Sequence, residues 1–139
     1  MRYFLIPARG GSKGISDKNI VDLGGHPLLA WTVDAAIEAA KSYEGSRVYV
    51  TSEDRKVLDI AESCGAVPHV RPAHLADDQA TMLAVLRDFF RTHEDAHDVV
   101  LLFPTSPFRT AATIKNALAV FESGPRDAAY DSLMSGHAV

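Results

Sequence analysis

Val99-Val100-Leu101-Leu102-Phe103 is an unbroken apolar run. A strand with one wet face alternates apolar and polar residues, so a continuous run predicts a strand buried on both faces of a sheet. Helices must then cover both faces, and the remaining sequence supplies them. Residues 3–7 read as a first strand, and residues 27–40 as a helix with Leu29, Val33, Ile37 and Ala40 at three- and four-residue spacing. Residues 47–51 form a second strand. Residues 54–64 form a second helix, buried through Val57, Ile60, Ala61 and Cys64 and stopped by Gly65. A short third strand at 66–70 precedes a third helix at 80–91 with Leu83, Leu86 and Phe90 inward. The apolar strand occupies 98–103. Thr110 caps a fourth helix that uses Ile114, Ala117, Leu118 and Phe121 and ends at Gly124, and residues 128–133 begin another strand. Repeated βα units predict a mostly parallel sheet with helices on both faces. The 139 residues suffice for a single domain, 1–139, with its own core. No repeat, low-complexity tract or linker interrupts it.

In such sheets ligands bind in the crevice outside the carboxyl ends of the strands. The polar segments of this chain fall there. Ala8-Arg9-Gly10-Gly11-Ser12-Lys13-Gly14 and then Lys18-Asn19 follow the first strand, and Thr51-Ser52-Glu53-Asp54 the second. Arg71-Pro72 and Leu75-Ala76-Asp77-Asp78 follow the third, and Pro104-Thr105-Ser106-Pro107-Phe108-Arg109 the apolar strand. Glycines let the backbone approach an anion, so that N–H groups can converge on phosphate oxygens. Arg9 can fork onto two oxygens, while Lys13 and Lys18 add compact charge. A generic surface turn does not need these three cations together. The spacing fits neither common nucleotide fingerprint, because Lys13 precedes Gly14 where a Walker A lysine follows its glycine, and Gly-x-Gly-x-x-Gly is absent.

The formal net charge is −4. That balance argues against a nucleic-acid partner, which calls for a basic face, and leaves the cationic loop for a small anionic ligand. A signal peptide and an apolar stretch long enough for a membrane span are not seen, and the one cysteine, Cys64, reads as a small buried hydrophobe. These features suit a cytoplasmic protein. Trp31 reads as a core residue. His93-Glu94-x-x-His97 matches a zinc-protease string, but Asp98 and the apolar strand follow at once, so the two histidines do not share a continuing helix, and the segment reads as a solvated connection. Arg71 could be a structural ion-pair partner of Asp54, Asp77 or Asp78, or could bind a base, ribose or carboxylate. Thr105 and Ser106 could cap the next helix or touch a ligand. Arg109 begins that helix, where a cation opposes the helix dipole, which favours a role with an anion.

Ile6-Pro7-Ala8-Arg9-Gly10-Gly11-Ser12-Lys13-Gly14, Lys18-Asn19, Arg71-Pro72-Ala73-x-Leu75-Ala76-x-Asp78 and Pro104-Thr105-Ser106-Pro107-x-Arg109 together resemble the acylneuraminate cytidylyltransferases, in order, over residues 3 to about 135. The resemblance implies a Rossmann-like nucleotidyltransferase three-layer α/β fold. It implies that CTP and a nonulosonic (sialic-type) acid give a CMP-sugar and pyrophosphate with Mg²⁺, and that the full-length protein is a homodimer. By the same resemblance Arg9 and Lys13 are catalytic and neutralise the phosphates. Ala8, Gly10, Gly11, Ser12, Lys18, Asn19, Arg71, Asp78 and Thr81 complete the nucleotide site. Phe103, Thr105, Ser106 and Arg109 face the sugar.

Three departures bear on this expectation. Phe103 stands where well-known members carry Gln, which leaves legionaminic, pseudaminic and related acids open as substrates. Met82 stands where a second hydroxyl is expected after Thr81. The sequence ends at Val139, ahead of the late Asp-x-Asp-like pair that binds magnesium in the family, so a front half without its metal ligands is expected. The alternatives are a nucleotide-binding module without turnover and a related nucleotidyltransferase with another acid sugar.

Overall fold

The computed structural model describes residues 1–10, 18–76, 80–105 and 109–123. Four parallel strands form the main sheet: β1 (Arg2–Pro7), β4 (Arg47–Ser52), β5 (Val67–Val70) and β6 (Asp98–Leu101), in the order β5-β4-β1-β6. Between β1 and β4 lie a two-stranded antiparallel hairpin, β2 (Asp22–Leu23) and β3 (His26–Pro27), and helix α1 (Leu28–Ala40). Helix α2 (Arg55–Ser63) joins β4 to β5, α3 (Met82–Thr92) joins β5 to β6, and α4 (Ala111–Glu122) follows β6.

The period of β1 explains the three layers. Successive strand residues point to opposite faces. Phe4 and Ile6 pack with Leu29 and Val33 of α1, Val57 and Ala61 of α2, and Ile114 and Leu118 of α4. Tyr3 and Leu5 pack on the other face with Tyr49 and with Phe89 of α3. β1 is therefore enclosed on both faces, with Phe4, Leu5 and Ile6 fully buried, and so is β4, through Val48 and Val50 on one face and Tyr49 on the other.

The sequence expectations hold for the elements and fail for some of their faces. All four βα units occur. β6 is an edge strand among the described residues, only partly covered, and Phe103 beyond it is 45% exposed, so the apolar run is not enclosed on both faces. In α3 the inward residues are Val85 and Phe89, with Leu86 partly covered. Leu83 and Phe90 are exposed. Six large apolar residues in that helix fill more than one stripe, and Phe89 takes the inner position because it meets Tyr3 and Tyr49 edge-on at 6.0 and 5.3 Å. Trp31 is not a core residue; it lies on the exposed face of α1, donating its indole N–H to the Leu23 carbonyl at 2.9 Å and meeting His26 edge-on. It thereby fastens the hairpin, which the sequence reading missed although Gly24-Gly25, both at positive φ, is the dipeptide a tight two-residue turn requires. Cys64 is partly buried at the end of α2 against the larger core. The strand expected at 128–133 lies outside the described residues.

Candidate functional site

The carboxyl ends of β1, β4, β5 and β6 lie along one edge of the sheet, and the order reverses between β1 and β6. An open parallel sheet offers its ligand crevice at such a switch point. Two adjoining cavities occupy this edge. One, of about 310 Å³, is lined by Pro7, Arg9, Lys18, Asn19, Arg71, Met82, Phe103, Pro104 and Thr105. The other, of about 240 Å³, is lined by Arg9, Arg71, Leu75, Thr81 and Val85 among others. Arg9, Arg71 and Met82 border both.

β4 builds much of the support. The Thr51 carbonyl accepts from the Ala8 N–H at 3.0 Å and from Arg71 Nη2 at 3.2 Å. Thr51 Oγ1 accepts a long bond from Arg71 Nε at 3.5 Å and lies 3.0 Å from His69 Nδ1. The Ser52 carbonyl accepts the Arg71 N–H at 2.8 Å. Arg71 is 5% exposed, and its Nη1 donates to the Leu75 carbonyl at 3.3 Å. Among the described residues its side-chain hydrogen bonds go to Thr51 and Leu75 and no ion pair with Asp54 is formed; Asp77 and Asp78 lie outside the described residues. Burial lowers the Arg71 pKa from its ordinary value; the Glu53 carboxylate opposes that effect and Arg9 adds to it. Burial of this kind keeps a guanidinium poorly solvated and raises its preference for an anionic partner.

The other expected residues divide by where they stand. Ala8 is buried and its N–H is taken by Thr51, while the Gly10 N–H is taken by Glu53 at 2.6 Å. Asn19 donates to the Arg9 carbonyl at 2.8 Å, fixing the turn after β1. Thr81 lines the smaller cavity and also caps α3, accepting from the Ala84 N–H at 3.1 Å. Thr105 lines the larger cavity, and the cap of α4 is Thr110, which accepts from the Thr113 N–H. Arg109 lies beside this edge. Its Nη2 donates to the Phe103 carbonyl at 3.2 Å, its buried Nη1 has no hydrogen-bond partner among the described residues, and burial lowers its pKa. Gly11, Ser12, Lys13, Asp78 and Ser106 lie outside the described residues.

Sequence reasoning left open whether the segment after β4 touches a ligand or caps a helix. Asp54 is the N-cap of α2, its Oδ1 accepting from the Lys56 N–H at 2.9 Å. The buried Thr51 and Ser52, unremarkable as a sequence, carry the Arg71 network. The His93 and His97 pair is not a joint site: α3 ends at Thr92, the His93 ring stacks on Phe89 at 4.2 Å, and His97 Nδ1 lies 2.6 Å from the N-terminal amine. Among the described residues no three His, Cys, Asp or Glu side chains converge to hold a metal ion, so the magnesium implied by the family resemblance finds no ligand set among them.

The fold and this cationic crevice define the class: an α/β protein of the Rossmann-like nucleotidyltransferase type. The chain belongs to the cytidylyltransferase family, which it matches over residues 3–135. It is 38% identical over 119 residues to the N-acylneuraminate cytidylyltransferase of Streptococcus agalactiae, a match covering 86% of this chain and 29% of that protein. It is 36% identical over 121 residues to the CMP-N,N'-diacetyllegionaminic acid synthase of Legionella pneumophila, covering 84% of this chain and 51% of that one. The chain thus spans between about a third and a half of these relatives. Among solved structures, the CMP:2-keto-3-deoxy-manno-octonic acid synthetase complexed with CTP superposes with a TM-score of 0.71 at 21% identity, over 90% of this chain and 48% of that one.

Proposed function

We propose that this chain carries the nucleotide half of a CTP-dependent activation of a nonulosonic acid, giving a CMP-sugar and pyrophosphate. The observation that carries the reading is the convergence of Arg9, Lys18 and Arg71 on one crevice at the switch point of a parallel sheet. In the reaction the anomeric hydroxyl of the sugar attacks the α-phosphorus of CTP and pyrophosphate leaves. Catalysis of such a displacement is mainly positioning and charge neutralisation. Arg9 and Lys13 neutralise the triphosphate, Lys18 and Asn19 close the nucleotide side, and Arg71 with Asp78 and Thr81 frames the cytidine. Gly11 and Ser12 complete the phosphate loop. Phe103, Thr105, Ser106 and Arg109 face the acid sugar. Magnesium, held with the nucleotide, would add charge neutralisation at the phosphates. Phe103, Pro104 and Met82 give the larger cavity apolar lining beside its cations. That pairing suits a sugar with a carboxylate at one end and methyl or acyl substituents at the other, as in the legionaminic and sialic acids.

Calorimetry with CTP, UTP, ATP and GTP, followed by pyrophosphate release with N-acetylneuraminic, legionaminic and pseudaminic acids, tests the reading. CTP is expected to bind in preference to the other three. Lys13→Ala is expected to weaken CTP binding about tenfold or more, the cost of one charged hydrogen bond to phosphate. Equal affinity for all four nucleotides would refute the base assignment. CTP binding without release of pyrophosphate would identify a binding module.

A further inference from the structure

Glu53 has no role in the reading above, yet it occupies an unusual position. It leaves the end of β4 between two residues that are fixed by their own bonds. Ser52 Oγ, fully buried, accepts from the Asp54 N–H at 3.1 Å, and Asp54 caps α2. From this rigid base the Glu53 carboxylate reaches across to β1, where Oε1 accepts from the Gly10 N–H at 2.6 Å. Its other oxygen, Oε2, is buried and has no hydrogen-bond partner among the described residues. A carboxylate oxygen left this way costs free energy. Its placement therefore calls for a compensating role. The same charge acts on Arg71, where it counters the effect of burial.

The approach of the two segments is tight. A Cβ added to Gly10 would lie 2.6 Å from the Asp54 Cβ, closer than real side-chain atoms come. Gly10 follows Arg9, which borders both cavities. Whatever fixes Gly10 thus fixes the direction in which the chain leaves Arg9.

We propose that Glu53 is a positioning residue of this site: its carboxylate holds the Gly10 amide and so sets the turn that carries Arg9 to the mouth of the crevice. An acidic group beside an anion site would by charge alone repel the ligand. It belongs there because its geometric effect outweighs that repulsion. The proposal rests on the anion-binding reading of the crevice, and a measurement without ligand separates the two.

Glu53→Gln keeps a carbonyl oxygen for the Gly10 N–H and removes the charge; Glu53→Ala removes both. If Glu53 acts only through its charge, the two variants bind anions alike, and more tightly than the wild type. If it acts as a clamp, they separate. Titrations with CTP and with inorganic tripolyphosphate are expected to show Glu53→Ala weakened by about tenfold or more, the size of one charge-assisted hydrogen bond, and Glu53→Gln no weaker than the wild type. Hydrogen exchange of the Gly10 amide, followed by NMR, reads the clamp without any ligand. Glu53→Ala is expected to deprotect that amide and Glu53→Gln to retain its protection, with unchanged exchange in β1 and β4. Gly10 protection unaffected by Glu53→Ala would overturn the proposal, as would two variants that bind either probe equally well. Failure of the wild type to bind CTP while it binds tripolyphosphate would count against the cytidine reading and leave the clamp to be decided by the tripolyphosphate comparison; failure to bind either probe would overturn the positioning role along with the anion site.

Discussion

Gly10 and Arg71 are the residues at which the chemistry of the crevice depends most directly on a single side chain. Gly10 needs the absence of a Cβ because the Asp54 side chain occupies that space. Gly10→Ala is expected to cost about 1–3 kcal/mol, the usual penalty for forcing an extra carbon into a packed contact. Asp54→Gly in the same chain removes the obstructing atoms and loses only a few tenths of a kcal/mol as a helix cap. The double variant is therefore expected to unfold at higher urea than Gly10→Ala alone, a non-additivity that contact between the two residues requires. Arg71 is buried, with its side-chain donors directed at the Thr51 carbonyl and hydroxyl oxygens and at the Leu75 carbonyl. Arg71→Met keeps the length and deletes the charge. It is expected to lower CTP affinity about tenfold or more in calorimetry, and to cost about 1–3 kcal/mol of stability as well, because the oxygens of Thr51 and Leu75 lose a donor.

Helix caps separate stability from binding at the level of elements. Thr81 caps α3 and lines the smaller cavity, whereas Thr110 caps α4 and lines neither. Each Thr→Ala change is expected to cost about 1 kcal/mol in chemical denaturation, and only Thr81→Ala is expected to shift CTP affinity. Equal effects of the two on binding would remove Thr81 from the site. These caps also show what the sequence makes legible. Thr110 and the Gly65 stop are local chemistry, and they stand where local chemistry puts them. The alternation of strands and helices is legible for the same reason, as are Arg9, whose charge stands out beside Gly10, and Lys18, which follows in the same loop. Which strand is central is not local information. Val99–Phe103 is more apolar than β1, but β1 and β4 take the enclosed positions, each with a paired strand on either side, while β6 pairs with β1 alone among the described residues. The inward face of α3 depends on aromatic partners from β1 and β4, and the hydroxyl of Thr51 becomes informative only once Arg71 is brought back to it over 20 residues of chain. Glu53 looks like a helix-capping neighbour of Asp54 until Gly10 is seen opposite it.

Across the molecule, a titratable clamp secures each outer strand of the main sheet among the described residues, and the two clamps respond to different pH. On one edge His69 of β5 sits against Thr51 of β4, Asp88 and His93 at α3, and the neighbouring Arg71. Burial lowers the His69 pKa from 6.5, with Asp88 opposing and His93 and Arg71 reinforcing that shift. The unfolded chain then takes up a proton that the folded chain does not, so stability falls as pH drops below about 6.5 and stops falling once the folded-state value is passed. On the other edge Arg2 of β1 grips Asp98 of β6 through both carboxylate oxygens at 2.9 Å, and reaches Glu122 of α4 at 2.6 Å. The hydrogen bond from Arg2 holds the Asp98 pKa below 3.8. Here the unfolded state takes up its proton first as well, but only from about pH 3.8 downward, so this contribution is intact through the His69 range. Urea midpoints followed from pH 8 to 3 are therefore expected to fall in two stages. His69→Gln is expected to flatten the upper stage and leave the lower, and Asp98→Asn to do the reverse, at a lower overall stability because Arg2 loses its ionised partner. An upper stage that survives His69→Gln would show that another group carries it and would refute the assignment of that stage to His69 at the β5 edge.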